Sequence, residues 1–274
     1  MHSETPEAVA VIAGKGAYPR LLADSAHAQG VRRVFAVAFK GETARDIERA
    51  ADEVRWVRLG RLGDLIDALR SSGIPRAVMA GQITPTHLFR IRPDRRMLSL
   101  LKRLPARNAE TIFGAVGEEL AAAGIQLMPA SRFMEAHMPA AGLLSRRAPT
   151  EGERDDIRLG LRAAKATSAL DIGQTVVVKE GTLLAVEAFE GTNETIRRAA
   201  RLGGPGIVVV KVAKPGHDMR FDIPVIGVHT LALLKKVRAA ALALEAGRAI
   251  VLEQERVVER ADKMNLCLTV MKEE

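Results

Sequence analysis

The chain holds a single cysteine, Cys267, so no internal disulfide can form and no zinc site can be built from thiolates. That fits a reducing compartment. Aromatic residues amount to 3% of the sequence, which leaves little material for stacking on nucleic-acid bases. No apolar run reaches the roughly 18 residues of a membrane span. The opening Met1-His2-Ser3-Glu4-Thr5-Pro6-Glu7 is acidic rather than signal-like. The expectation is therefore a cytoplasmic protein, with a peripheral visit to a membrane left open. His2, His27, His87, His137, His217 and His229 lie far apart, never in the H-E-x-x-H or H-x-H spacing that ligates a metal. The G-x-S-x-G elbow of serine hydrolases is also missing.

What the sequence does have is positive charge. Lys and Arg number 41 against 33 Asp and Glu, giving a net charge of +8 and a pI near 10.0. Such a field attracts an anionic partner, whether nucleic acid, an acidic bilayer or a phosphorylated metabolite. With 274 residues, 47% hydrophobic and 27% charged, the chain can build two globular domains, each with its own core.

The first half alternates strand and helix. Ala8 to Ala13 is an uninterrupted apolar run that predicts the first strand of a parallel sheet. Gly14-Lys15-Gly16-Ala17-Tyr18-Pro19 then turns into a helix from Pro19 to Gln29. Arg33 to Phe39 and Val54 to Leu59 predict strands around a short helix near Thr43 to Ala50. Leu62, Leu65, Ile66 and Leu69 share one face of a helix over 62–72. Ala77 to Ala80 is the next strand, ending at Gly81-Gln82. The pattern is α/β, a Rossmann-like parallel-sheet domain over residues 1–138. From Leu88 to Leu104 the chain is basic, with Arg90, Arg92, Arg95, Arg96, Lys102 and Arg103, and reads as a solvated helical face or a surface for phosphates or lipid. Asn108 is placed to cap a helix through Ala123.

Residues 139–149, rich in Pro, Ala and Gly, are expected to form a linker into a second α/β domain over 150–274. Thr150-Glu151-Gly152-Glu153 has the capping-box pattern and opens a helix to Ala169. Residues 174–179 and 182–189 predict a hairpin about the two-residue turn Glu180-Gly181. Asn193 is expected to cap a helix through Leu202, and Thr230 a helix from Leu231 to Glu245. Ile207 to Val212 reads as a buried strand, while 250–252 and 266–270 close the sheet around a helix near Arg256 to Asp262.

The stretch from Lys214 to Gly227 carries the chemistry. With a period of two, Asp218, Arg220 and Asp222 fall on one face, Met219, Phe221 and Ile223 on the other, and Pro215 and Pro224 stiffen the ends. The plain alternative is a surface ion-pair cluster around Arg220. Gly14-Lys15-Gly16 suits an anion, since glycines admit close backbone approach ahead of a helix start. It is not the dinucleotide fingerprint, because Pro19 stands at the third glycine position and Lys40 where an acidic residue would close the second strand. If a metal binds, carboxylates such as Asp222, Asp218 and Glu187 point to a hard cation.

Several of these stretches together resemble one family, the UDP-2,3-diacylglucosamine pyrophosphatases of lipid A biosynthesis in the form distinct from the calcineurin-like enzyme. The matching pieces are Ile12 to Pro19, Ala80-Gly81-Gln82, Leu170-Asp171-Ile172-Gly173-Gln174, Val186-Glu187-Ala188 with Glu190-Gly191-Thr192, and Lys214 to Gly227. The resemblance implies two α/β domains and hydrolysis of a sugar-nucleotide lipid at its α-phosphate, giving UMP and 2,3-diacylglucosamine 1-phosphate, with Mg²⁺ or Mn²⁺. It places the essential aspartate at Asp222, and Asp218 and Glu187 are the further carboxylates expected to ligate the metal. Substrate contacts then fall at Gly14, Lys15, Gly16, Gly81, Gln82, Thr192, Lys214 and Arg220. Lys15 and Val225 depart from the commonest pattern, where glycine and threonine are usual. The reading implies a visit to the inner-membrane surface, leaves a homodimer open and expects no nucleic-acid partner. A basic nucleic-acid-binding protein and a nicotinamide oxidoreductase are the alternatives from other classes.

Overall fold

The computed structural model describes residues 5–83, 92–105, 109–214, 220 and 223–272. The chain divides into two compact units, one holding residues up to 134 together with Arg220, the other starting at 135.

The first unit runs β1 (Ala8–Ala13), α1 (Tyr18–Ala28), β2 (Arg33–Phe39), α2 (Ile47–Ala50), β3 (Glu53–Val57), α3 (Leu62–Ser71), β4 (Arg76–Ala80), α4 (Arg95–Arg103), α5 (Ala109–Ala122) and β5 (Gln126–Leu127). Its strands are ordered β3-β2-β1-β4-β5 and every pair is parallel. Parallel strands are joined by helices that cover both faces, which is why β1 and β2 are apolar without alternation and buried along almost their whole length. Leu62, Leu65, Ile66 and Leu69 of α3 pack on this sheet as their spacing predicts. Asp94 ties α3 to α4, accepting from Met97 N at the start of α4 and from Gly63 N of α3. Strand order reverses between β1 and β4, so their carboxyl ends open the crevice typical of such sheets.

The second unit runs β6 (Gly142–Leu143), α6 (Glu151–Ala169), β7 (Thr175–Lys179), β8 (Thr182–Val186), α7 (Thr192–Gly203), β9 (Val208–Lys211), β10 (Val225–Ile226), α8 (Val228–Val237), β11 (Ala241–Glu245), β12 (Ile250–Val251), α9 (Gln254–Lys263) and β13 (Cys267–Met271). The main sheet is mixed, ordered β6-β13-β11-β9-β7-β8, and β10 pairs with β12 apart from it. Alternate residues of the central strands face opposite layers. Val176, Val178, Val208 and Val210 pack on Ile157 and Ala164 of α6, whereas Val177, Val209, Leu242 and Leu244 pack on Ile196, Leu231, Leu234 and Val257. Both predicted capping-box bonds form at Thr150 and Glu153. The hairpin turn at Glu180 and Gly181 is held by Asp156 of α6, whose carboxylate accepts both turn amides at 2.9 and 2.7 Å.

Five local expectations need correction. The helix expected from Leu231 to Glu245 stops at Val237, where Arg238 turns left-handed, and residues 241–245 form the strand β11. Ala and Leu favour a helix intrinsically, but burial of all five residues between β9 and β13 overrides that preference. That helix begins at Val228 after Gly227, and α7 begins at Thr192 after Gly191, so neither Thr230 nor Asn193 is the cap. The helix near Thr43 shortens to Ile47–Ala50, because Thr43 bonds Ala13 O and Phe39 N instead. Residues 139–149 are no free linker: β6 adds to the edge of β13, Ser145 Oγ accepts from Leu268 N, and Arg147 pairs with Glu153. The Asn108 cap lies outside the described residues.

Candidate functional site

Two clusters stand at the carboxyl ends of the two sheets. In the first unit, Gly14-Lys15 leaves β1 and Gly81-Gln82 leaves β4, and the two turns are bonded to one another. Gly14 N donates to Ala80 O at 2.7 Å, Lys15 N to Gln82 O at 2.7 Å, and Gln82 N to Lys15 O at 3.1 Å. The approach is so close that a Cβ on Gly14 would meet Gln82 O at 2.7 Å, and one on Gly81 would meet Lys15 O at 2.7 Å. Glycine is thus demanded by backbone contact across the crevice. The bonds also consume the Gly14 and Lys15 amides, so this is not a loop whose every N–H faces a ligand. Gly16 and Lys15 are exposed at its rim. Beyond them α1 starts with no side-chain cap and no acidic residue in its first turn, so its own first turn leaves the positive helix end uncompensated. Pro19 packs against Gly81, where a dinucleotide fold would need its third glycine. Arg220 belongs with this unit, its guanidinium 3.7 Å from where a Cβ on Gly117 of α5 would sit.

In the second unit the cluster gathers where β8 ends, α7 begins and β9 ends. Thr175 on β7 is paired across the sheet with Lys211 on β9. Lys211 Nζ donates to Thr192 Oγ1 at 2.9 Å and more weakly to Thr175 Oγ1 at 3.4 Å. Thr192 Oγ1 donates in turn to Glu187 Oε1 at 2.9 Å. Glu187 Oε2 is buried with no hydrogen-bond partner among the described residues. The Asp171-Ile172-Gly173 turn passes the Glu187 backbone so tightly that a Cβ on Gly173 would stand 2.2 Å from the Glu187 carbonyl oxygen. Lys214 Nζ lies 3.4 Å from Asp171. Burial opposes the charge on Glu190, yet bonds from its own backbone N–H, Arg198 and Thr195 prevail and hold its carboxyl below the usual range.

The resemblance grouped Gly14, Lys15, Gly16, Gly81 and Gln82, and they stand together. It also grouped Glu187 and Thr192, which are in contact. Asp218, Asp222 and His217 lie outside the described residues. Among the described residues no three His, Cys, Asp or Glu side chains form a metal-holding group, but the unpartnered Glu187 oxygen is chemically suited to a hard cation. Arg96 and Arg103 of the basic helix both bind Glu119, so this part of the stretch is a paired, solvated face. No helix among the described residues is long and apolar enough to cross a membrane. Sequence reasoning missed Lys211. Its signal was a lone charge closing the apolar run from Ile207 to Val212.

Comparison with known proteins covers both units. The LpxI N-terminal domain matches residues 8–137 and the LpxI C-terminal domain residues 140–269. A Caulobacter vibrioides protein described as UDP-2,3-diacylglucosamine pyrophosphatase LpxI is 32% identical over 275 residues, spanning 93% of this chain and 94% of its own. A solved structure of glycinamide-RNase-transformylase T from Mycobacterium tuberculosis aligns over 66% of this chain and 44% of its own at TM-score 0.26 and 16% identity, too loosely to inform the fold. Matched along both units in order, the chain belongs to the LpxI family.

Proposed function

We propose that this chain hydrolyses UDP-2,3-diacylglucosamine to UMP and 2,3-diacylglucosamine 1-phosphate in lipid A biosynthesis. The observation that carries the reading is the 32% identity to the Caulobacter pyrophosphatase across 93% of the chain. The physical features agree with a diphosphate substrate: a net charge of +8, a crevice at the β1/β4 reversal and the uncapped start of α1 beside Lys15. Water attacks the α-phosphate. Lys214 and Arg220 neutralise phosphoryl charge and Asp222 orients the water, roles that grow as charge develops in the transition state. Asp222, Asp218 and Glu187 would hold Mg²⁺ or Mn²⁺, which would supply further charge neutralisation at the diphosphate. The basic surplus also draws the protein to the anionic cytoplasmic face of the inner membrane.

Purified protein given the sugar nucleotide with Mg²⁺ or Mn²⁺ is expected to release both products, and exhaustive EDTA to stop it reversibly. Undiminished turnover after EDTA would remove the metal from the account. Lys15→Ala is expected to raise KM by the loss of a charged hydrogen bond, about 1.5 to 3 kcal/mol. An unchanged KM would leave Gly14-Lys15-Gly16 as a turn that only joins two elements.

A further inference from the structure

Lys211 closes β9 with 7% of its surface exposed. A buried ammonium is costly unless its three donors find acceptors and its charge a counter-charge. Its two bonds go to neutral hydroxyls, Thr192 at 2.9 Å and Thr175 at 3.4 Å, and among the described residues it makes no ion pair. Other lysines of this unit are treated differently, Lys165 pairing with Glu245 and Lys214 with Asp171.

The polarity of the network follows from proton count. Thr192 has one hydroxyl proton and gives it to Glu187 Oε1, so its oxygen accepts from Lys211. The opposite carboxylate oxygen, Glu187 Oε2, is buried and unbonded among the described residues. On one side of a single hydroxyl there is an ammonium with a donor to spare, and on the other a carboxylate with an acceptor to spare. Both stand at the carboxyl ends of the sheet, where α/β folds bind ligands. An anionic oxygen satisfies the first, and such a ligand would also give the ammonium a direct counter-charge in place of one reached only through the Thr192 hydroxyl.

We propose that Lys211, oriented by Thr175 and Thr192, binds a phosphoryl oxygen of the substrate's diphosphate. This rests on the hydrolase reading and adds to it a residue of the second unit that lies outside the motif-bearing stretches 186–192 and 214–227. The rival role is a strut that merely fastens β9 to the start of α7. The two differ in what they do to ligand affinity, because a strut affects folding and a phosphate anchor affects binding.

The test uses the full chain carrying Lys211→Met or, to keep a neutral donor toward Thr192, Lys211→Gln. Affinity for UMP and for 2,3-diacylglucosamine 1-phosphate is measured separately by calorimetry, alongside Tm and turnover of the sugar nucleotide. One of the two products is expected to bind about ten- to a hundredfold more weakly to the folded variant, the loss of one charged hydrogen bond, with a shallower dependence on salt. Unchanged affinity for both products, in a wild type that turns substrate over, would overturn the role of Lys211 while leaving the hydrolase reading intact. Failure of both variants to fold would also overturn it, by showing that the lysine serves the fold. Absence of turnover by the wild type would instead sink the hydrolase reading.

Discussion

Glu245 Oε2 accepts the backbone N–H of Ala213 at 2.9 Å, while Lys165 donates both to Glu245 Oε1 and to the Ala213 carbonyl. Both polar backbone groups of one residue are thus gripped by one ion pair. That residue is the last before Lys214, where the proline- and aspartate-bearing stretch begins. The Glu245 side chain is 2% exposed, so the pair sits where a lone charge is costly. Glu245→Ala would remove this counter-charge from Lys165 and the acceptor of the Ala213 amide, and is expected to destabilise the protein by about 3 kcal/mol. Urea unfolding checks this through a lowered midpoint at unchanged slope. A midpoint equal to that of the wild type would show that the pair contributes nothing net.

The contact between Gly14-Lys15 and Gly81-Gln82 predicts intolerance to a single methyl group. At Gly14 an added Cβ meets a backbone oxygen at 2.7 Å, and Gly81 adds a φ of +90° to a similar clash. Gly81→Ala should therefore cost more than the 1 to 2 kcal/mol of left-handed strain alone, roughly 2 kcal/mol or above. Thermal unfolding of both alanine variants measures it. Retention of the wild-type Tm in either would mean that the turns are not locked together as described.

Acid should weaken the packing of α4 on α5. Bonds from Arg96, and then from Arg103, hold the Glu119 carboxyl below its ordinary value of 4.5. A carboxyl lowered in the folded state contributes stability that is present above the unfolded value near 4.5 and is lost as pH falls through the folded one. Both arginines are largely exposed, so the contribution is about 1 kcal/mol or less. Glu119→Gln should lower the urea midpoint at pH 7 and close the gap to wild type near pH 3. A gap that stays constant with pH would assign the effect to packing.

Asp222→Ala is expected to lower kcat by at least about 10³, close to 4 kcal/mol, with Tm and product affinity retained. A large fall in Tm with activity lost in proportion to unfolding would mark Asp222 as a strut.

The alternating frame of the first unit was legible because buried parallel strands are short apolar runs, and β1 and β2 run over the residues expected. Strand β11 was not, since Ala-Leu-Ala-Leu-Glu carries helix formers and only its place between β9 and β13 makes it a strand. Strands β5, β6 and β10 are two residues each, too short for any period to show. Part of the site was visible through motif resemblance, which brought Glu187 and Thr192 forward. Lys211 stayed hidden because its partner Thr175 lies 36 residues away, and the two meet only through the register of β7 on β9.

The most direct test of the account is hydrolysis of UDP-2,3-diacylglucosamine in water enriched in heavy oxygen, followed by mass spectrometry of both products. Attack on the α-phosphate leaves the incoming oxygen on the phosphate of UMP, so the account predicts heavy oxygen in UMP and none in 2,3-diacylglucosamine 1-phosphate. Label in the lipid phosphate would contradict the direction of attack, and release of neither product would contradict the function itself.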